Sequence, residues 1–228
     1  DGAGLTHHVM TRGNNRQRIF DGDLDRRSFL ALVEETRERR DWRIHAWCLM
    51  TNHVHLLITT DRPTLSDGLR DIVGTYARRH NHFHERTGHL FSGRFRSVPV
   101  TSDEQFLTVV RYVNRNPVGA GMVDRPEHYP WSGYGSRGSV HPPITIDEAD
   151  LLRRFHPVRT IAERQMHALV QSEPWPTRAG RHQPAIGTLL QAMGPKRGVT
   201  AAVSAGHRRC EIAAILGRSV SYVDRRAA

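Results

Sequence analysis

Lysine is all but missing from this chain. Of its 33 basic residues only Lys196 is a lysine, so the positive charge sits on guanidinium groups, which fork onto phosphate in two-point contacts and stack on bases. Cysteine is scarce as well: Cys48 and Cys210 stand far apart, and two such residues make no disulfide framework. No apolar run approaches the roughly 18 residues that a membrane-spanning helix needs, and no signal-peptide pattern opens the chain. With the lysine placed in GPKRG, a phosphate-binding loop of the type GxxxxGKS or GxxxxGKT is excluded. Acid is in deficit, 23 residues against 33 basic ones, for a net charge of +10. Such a balance favours a polyanionic partner, nucleic acid rather than a membrane, and we expect a cytoplasmic protein. A length of 228 residues accommodates one domain of catalytic size and a smaller appendage. The start at Asp1, a few residues before the first strand, suggests an initial segment outside this numbering.

Periodicity then orders the chain. LTHHVMTRGNN alternates weakly up to Gly13, which predicts a first strand ending in a polar loop. Leu24, Phe29, Leu30, Leu32 and Val33 recur at helical spacing through Arg40. DWRIHAWCLM reads as a second strand, Thr51 and Asn52 as a tight link, and HVHLLITT as a third strand. Pro63 opens a helix carrying Leu65, Leu69, Ile72, Val73 and Tyr76. Strand, helix, strand, strand, helix is most of a ferredoxin-like split βαβ sheet, so the fold class is α+β. Ser102 can cap a further helix with Asp103 and Glu104 in its first turn, which should end near Asn116 and Pro117, because the residue before a proline disfavours helix. Prolines from Pro126 to Pro143 mark irregular chain; IDEADLLRRF and IAERQMHALV suggest two short helices, and PWPTRAGRHQPAIG a loop or linker. In RCEIAAILGRSVSYVDRR the spacing of Ala213, Gly217 and Val223, with Ser219 as a cap, matches a helix-turn-helix, which would set Arg218, Ser221 and Arg225 against DNA. Expected domains are therefore a catalytic domain over 1–140, a helical extension and linker over 141–200, and a DNA-binding segment over 201–228.

Several groups carry chemistry. His53 and His55 in MTNHVHLLI lie one residue apart and, in a strand, on one face. Paired imidazoles can share a divalent metal or a phosphate oxygen; two satisfied histidines would read the same way. Tyr112 and Asn116, four residues apart, share a helix face. Residues 80–100 interleave histidines, arginines and phenylalanines as a single-stranded nucleic acid surface would. Of these, His89, Arg94 and Arg96 are candidate contacts, the two arginines alternating along an expected hairpin strand. His80, His82, His84 and His89 match no zinc spacing and no cysteine joins them. Arg12, Asn14, Asn15 and Arg16, in the loop after the first strand, suit base or phosphate contact, or simply a capped turn. Tyr76 reads as a helix residue near the core or DNA, and Tyr129 and Tyr134 as packing residues.

Five strings in order, THHVMTRGNNRQRIF, WCLMTNHVHLLI, GHLFSGRF, RYVNRNPVGAGMV and YPWSGY, span roughly residues 6 to 135. Together they resemble the HUH single-tyrosine transposases, most closely the REP-associated tyrosine transposase branch. The resemblance implies a ferredoxin-like catalytic domain, a helical DNA-binding C-terminus, His53 and His55 as metal ligands, Tyr112 as nucleophile and Asn116 as third ligand, where some relatives carry glutamine. A phenol, with an ordinary pKa of about 10, needs metal or base assistance to attack at neutral pH. Amide and phosphate oxygens with no thiolate favour Mg²⁺ or Mn²⁺. The expected function is a metal-dependent single-strand DNA endonuclease and transesterase, monomeric, that recognises a hairpin-forming repeat, forms a 5′-phosphotyrosine and rejoins strands. Two rivals stay open, a non-catalytic DNA-binding regulator of the same fold and a metal-dependent phosphohydrolase using water.

Overall fold

A computed structural model describes residues 4–137 and 143–172. The expected linker and helix-turn-helix, with Arg218, Ser221 and Arg225, lie outside the described residues. Within the unit Asp1–Gln171 the order is β1 (Leu5–Arg12), α1 (Asp23–Arg40), β2 (Trp42–Leu49), β3 (His53–Thr60), α2 (Leu65–Phe83), β4 (Arg96–Val100), α3 (Asp103–Gly119), α4 (Glu148–Arg153) and α5 (Arg159–Gln171). The strands form one antiparallel sheet in the order β2-β3-β1-β4. That is the split βαβ arrangement expected from the strand and helix periods.

Strand alternation gives the sheet two buried faces. Val54, Leu56 and Ile58 of β3 pack with Phe29, Leu30 and Val33 of α1 and Leu69, Ile72 and Tyr76 of α2. On the opposite face Leu57 joins Phe106, Val110 and Val113 of α3, and Ala162, Met166 and Val170 of α5. Full burial of a side chain of this size contributes about 1.5–3 kcal/mol, so both layers hold the sheet. The second layer positions the candidate site, because α3 lies across the face that bears His53 and His55.

Two boundaries differ from the expected ones. α3 continues through Pro117 to Gly119 rather than stopping at Asn116. Proline lacks an N–H and its ring crowds the carbonyl four residues back, but here it falls in the last turn, which is closed by Ala120 N–H to Asn116 O, Gly121 N–H to Val118 O and Met122 N–H to Pro117 O. Pro117 is itself buried, so packing offsets the lost bond. Arg94 and Arg96 do not share a hairpin strand: α2 runs to Phe83, and β4, which pairs with β1, starts only at Arg96. Between them Phe91 bridges to Gly13 and Leu90 O accepts from Asn14 N–H. Gly13 is required there, since a Cβ would sit 2.2 Å from Gln17 O.

Candidate active site

Cross-strand register builds the site. Met10 pairs with His55 and Arg12 with His53, so His8, Met10 and Arg12 share a sheet face with His53, His55 and Leu57. His55 is buried at 2 % exposure, His53 is half-buried, and their rings meet edge-on with centroids 4.9 Å apart. The His8 ring stacks on His55 at 5.2 Å and places its Nε2 3.0 Å from His55 Nδ1. His53 Nδ1 stands 2.7 Å from Asn52 Oδ1, while Asn52 Nδ2 donates to Arg16 O at 2.9 Å. Both imidazoles are thus oriented through Nδ1. Nε2 of His55 is buried with no hydrogen-bond partner.

Charge follows from this burial. Desolvation, then the Arg12 guanidinium, pulls the His53 pKa down to about 4. His55 falls to about 2, through desolvation and then the neighbouring His53, His8 and Arg12. Both rings are therefore neutral at neutral pH, the form that offers a lone pair to a metal.

The helix brings the other two residues. Tyr112 is 50 % exposed, and its ring lies edge-on 5.3 Å from His55 and 5.7 Å from His8. One turn further, the Asn116 side chain lies near enough to His53 to favour its charged form slightly, and its Nδ2 donates to Tyr112 O at 3.3 Å. The other described tyrosines are buried and engaged, Tyr76 with Ile19 O, Tyr129 with Leu49 O and Tyr134 with His167 Nδ1. Among the described residues, Tyr112 is the tyrosine whose ring is both exposed and beside the histidine pair.

A divalent ion fits these donors. The orphaned buried Nε2 of His55, the neutral His53 ring held by Asn52, and the amide of Asn116 close by would hold such an ion, which would supply charge neutralisation there.

The family follows from the same span of chain. The family model described as transposase, IS200 like, matches residues 3–116, half of the chain, and that half holds all four of these side chains. The chain belongs to the IS200-like transposase family. This IS200-like transposase is accordingly a DNA-cleaving enzyme. Among solved structures it is similar to a REP-associated tyrosine transposase bound to a REP hairpin, at 19 % identity and a TM-score of 0.49, covering 64 % of this chain and 88 % of that one. A crystal structure described as a transposase from Deinococcus radiodurans R1 is similar at 16 % identity and a TM-score of 0.37, over 50 % of this chain and 92 % of that one. No curated protein matched.

Candidate DNA contacts of the transposase divide by position. Arg12 ends β1 opposite His53. Asn14, Asn15 and Arg16 form a short 3-10 turn, with Asn15 and Arg16 in the left-handed region at φ 49° and 60°. Arg96 pairs with Met10, which puts it in the same cross-sheet row as His55. Arg94 does not join that row: it precedes β4 and lines a 550 Å³ groove against α2 with Arg70, Leu69, Val73 and Phe95. His89 is exposed in the loop, its carbonyl accepting from Gln17 Nε2 at 3.0 Å. His8 is the residue that sequence reasoning missed. Its signal was the i, i+2 spacing from Met10 and Arg12, which becomes informative only once the β1–β3 register is known.

Proposed function

We propose that this transposase is a metal-dependent single-strand DNA transesterase in which Tyr112 is the nucleophile and His53, His55 and Asn116 hold the ion. The observation that carries this reading is an exposed phenol ring set edge-on to a pair of neutral, oriented imidazoles, one with an unpartnered buried nitrogen. When bound, Mg²⁺ or Mn²⁺ supplies charge neutralisation at the scissile phosphate. The protein residues do the rest. His8 and Asn52 hold the two rings in orientation, and the Asn52 amide oxygen, an acceptor, puts the His53 proton on Nδ1. Tyr112 Oη forms a bond to phosphorus as the bond from phosphorus to the 3′ oxygen breaks; the phenolic proton is given up and the leaving 3′ oxygen takes one, leaving a 5′-phosphotyrosine and a free 3′-hydroxyl. Because the ester conserves the phosphodiester bond, the reverse attack by a 3′-hydroxyl rejoins strands without nucleotide hydrolysis. Arg12, the 14–16 turn and Arg96 surround the pair with positive and polar groups suited to a single strand beside a hairpin.

The test is an end-labelled hairpin oligonucleotide incubated with Mn²⁺ and resolved on a denaturing gel. Wild type should yield a covalent protein adduct that carries the 3′ label and not the 5′ label, and Tyr112→Phe should abolish the adduct while retaining DNA binding. A shifted complex without cleavage in wild type would indicate a binding-only regulator. Cleavage surviving in Tyr112→Phe would indicate a hydrolase that uses water.

A further inference from the structure

A second group of metal-ligating side chains stands where α1 begins and α2 ends. Asp21 and Asp25 come from the first turn of α1 and the residues just before it; His80 and His84 lie one turn apart on and just after α2. One donor atom from each lies within 4.8 Å of the other three. His84 Nε2 is 2.9 Å from Asp25 Oδ1, and His80 Nε2 is 3.4 Å from Asp21 Oδ2 and 3.9 Å from Asp25 Oδ2. Bonds of about 2.0–2.2 Å from an ion to imidazole nitrogen and carboxylate oxygen put tetrahedral donors about 3.3–3.5 Å apart. The observed separations straddle that value.

Hydrogen bonding within the group does not explain His80. Its side chain has 0 % exposure, and neither ring nitrogen makes a hydrogen bond. Buried polar groups are nearly always partnered, so an imidazole aimed at two carboxylates without bonding either one calls for a ligand between them. Asp25 is already oriented: Oδ2 accepts from the backbone N–H groups of Asp21 at 2.8 Å and Gly22 at 3.2 Å, and both carboxylate oxygens face His84 Nε2, Oδ1 at 2.9 Å and Oδ2 at 3.1 Å. A cavity of about 280 Å³ lined by Asp25, His80, Leu24 and Phe83 gives access.

We propose that Asp21, Asp25, His80 and His84 form a four-coordinate site for a divalent transition ion of the zinc class. Two imidazoles and two carboxylates suit such an ion better than Mg²⁺, which takes octahedral oxygen shells. The site joins the end of α2 to the start of α1. From His84 the chain passes Arg86, which donates to Gln17 Oε1 at 2.7 Å, and reaches Leu90, which accepts from Asn14 N–H. The ion therefore anchors the loop that packs beside the active-site end of β1.

The experiment uses the full chain carrying His53→Ala, which removes one imidazole of the active-site pair. After chelator treatment it is titrated with Zn²⁺ against a chromophoric chelator and with Co²⁺ by visible absorption. One ion per chain, the absorption of tetrahedral cobalt with nitrogen and oxygen ligands, and a Zn²⁺-dependent rise in Tm are expected. His84→Ala and Asp21→Ala, at positions outside the packed core, should each weaken Zn²⁺ binding by about tenfold or more and remove the Tm rise, with circular dichroism unchanged. Absence of stoichiometric Zn²⁺ or Co²⁺ binding, or binding that neither substitution weakens, overturns the proposal.

Discussion

His8 shows what one side chain can fix at a distance from the chemistry. Its ring stacks on His55 and meets His55 Nδ1, so it holds that ring with Nε2 turned away from the contact, and it also flanks the Tyr112 ring. Groups that orient a ligand in this way are commonly worth 10–100-fold in metal affinity. His8→Ala should therefore weaken Mn²⁺ binding by about that factor and slow adduct formation, with the adduct recovering at high Mn²⁺. A Mn²⁺ titration followed by adduct yield decides it; an unchanged half-saturation point would make His8 merely a packing residue. The four proposed chemical residues were legible in the sequence for a simple reason. His53 and His55 are tied by the two-residue strand period and Tyr112 and Asn116 by the helical one, and both periods are local. His8 depends on Met10 pairing with His55, a long-range fact that no local pattern contains. The sequence does not mark His80 and His84 as metal ligands, because the histidines of that stretch match no zinc spacing; their neighbours Asp21 and Asp25 come from the start of another helix, which no local pattern contains.

Elements were readable where both periods and punctuation agreed, and less so where they conflicted. β1 through α2 show alternation or helical spacing bounded by glycine, proline or asparagine, and the sheet order follows from their sequence. At Pro117 the local rule pointed to a stop, but burial of that ring and closure of the turn beyond it carry α3 on to Gly119. Residues 84–95 carry no period at all, and contacts distant in sequence, with Arg12, Gly13, Asn14, Gln17 and Asp25, seat them. Glycines in α2 make a quantitative test of how tightly that helix is packed. A Cβ at Gly68 would sit 2.3 Å from a Trp42 ring atom, whereas at Gly74 the nearest atom is the mobile Arg78 Nη1 at 3.5 Å. Alanine favours a helix interior over glycine by about 1 kcal/mol, and overpacking costs about 1–3 kcal/mol. Trp42 is buried and cannot swing away. Gly74→Ala should accordingly raise stability by about 0.5–1 kcal/mol, and Gly68→Ala should lower it by about 1–2 kcal/mol net. Urea unfolding of the two variants checks both signs; equal effects would mean that α2 does not rest on Trp42 as described.

Across the whole molecule the two buried faces share one electrostatic property: their imidazoles are kept neutral. Burial, the largest cause in each case, pulls His45 down to about 4, His53 to about 4 and His55 to about 2, and also lowers His7, His8 and His80. An unfolded chain restores each to its ordinary value of about 6.5. Below that pH the unfolded state binds protons that the folded state refuses, so stability is fully present above about pH 6.5 and is lost as pH falls towards the folded values. For the fully buried His45 and His55 alone, each unit of pH in the middle of that window costs up to about 3 kcal/mol, since one proton per group corresponds to about 1.4 kcal/mol per unit. Carboxylates add nothing until lower pH. Asp25 and Glu34 are held below their usual range despite burial, because the His84 hydrogen bond to Asp25 and those of Arg37 and Thr145 to Glu34 outweigh it. Calorimetric scans with chelator present, so that bound metal does not steepen the curve, should show Tm nearly level from pH 8 to 7 and falling steeply between about pH 6 and 4.5. A level Tm down to pH 5 would mean that these rings are solvated or already protonated in the folded chain, and the neutral imidazole pair on which the proposed metal site depends would go with them.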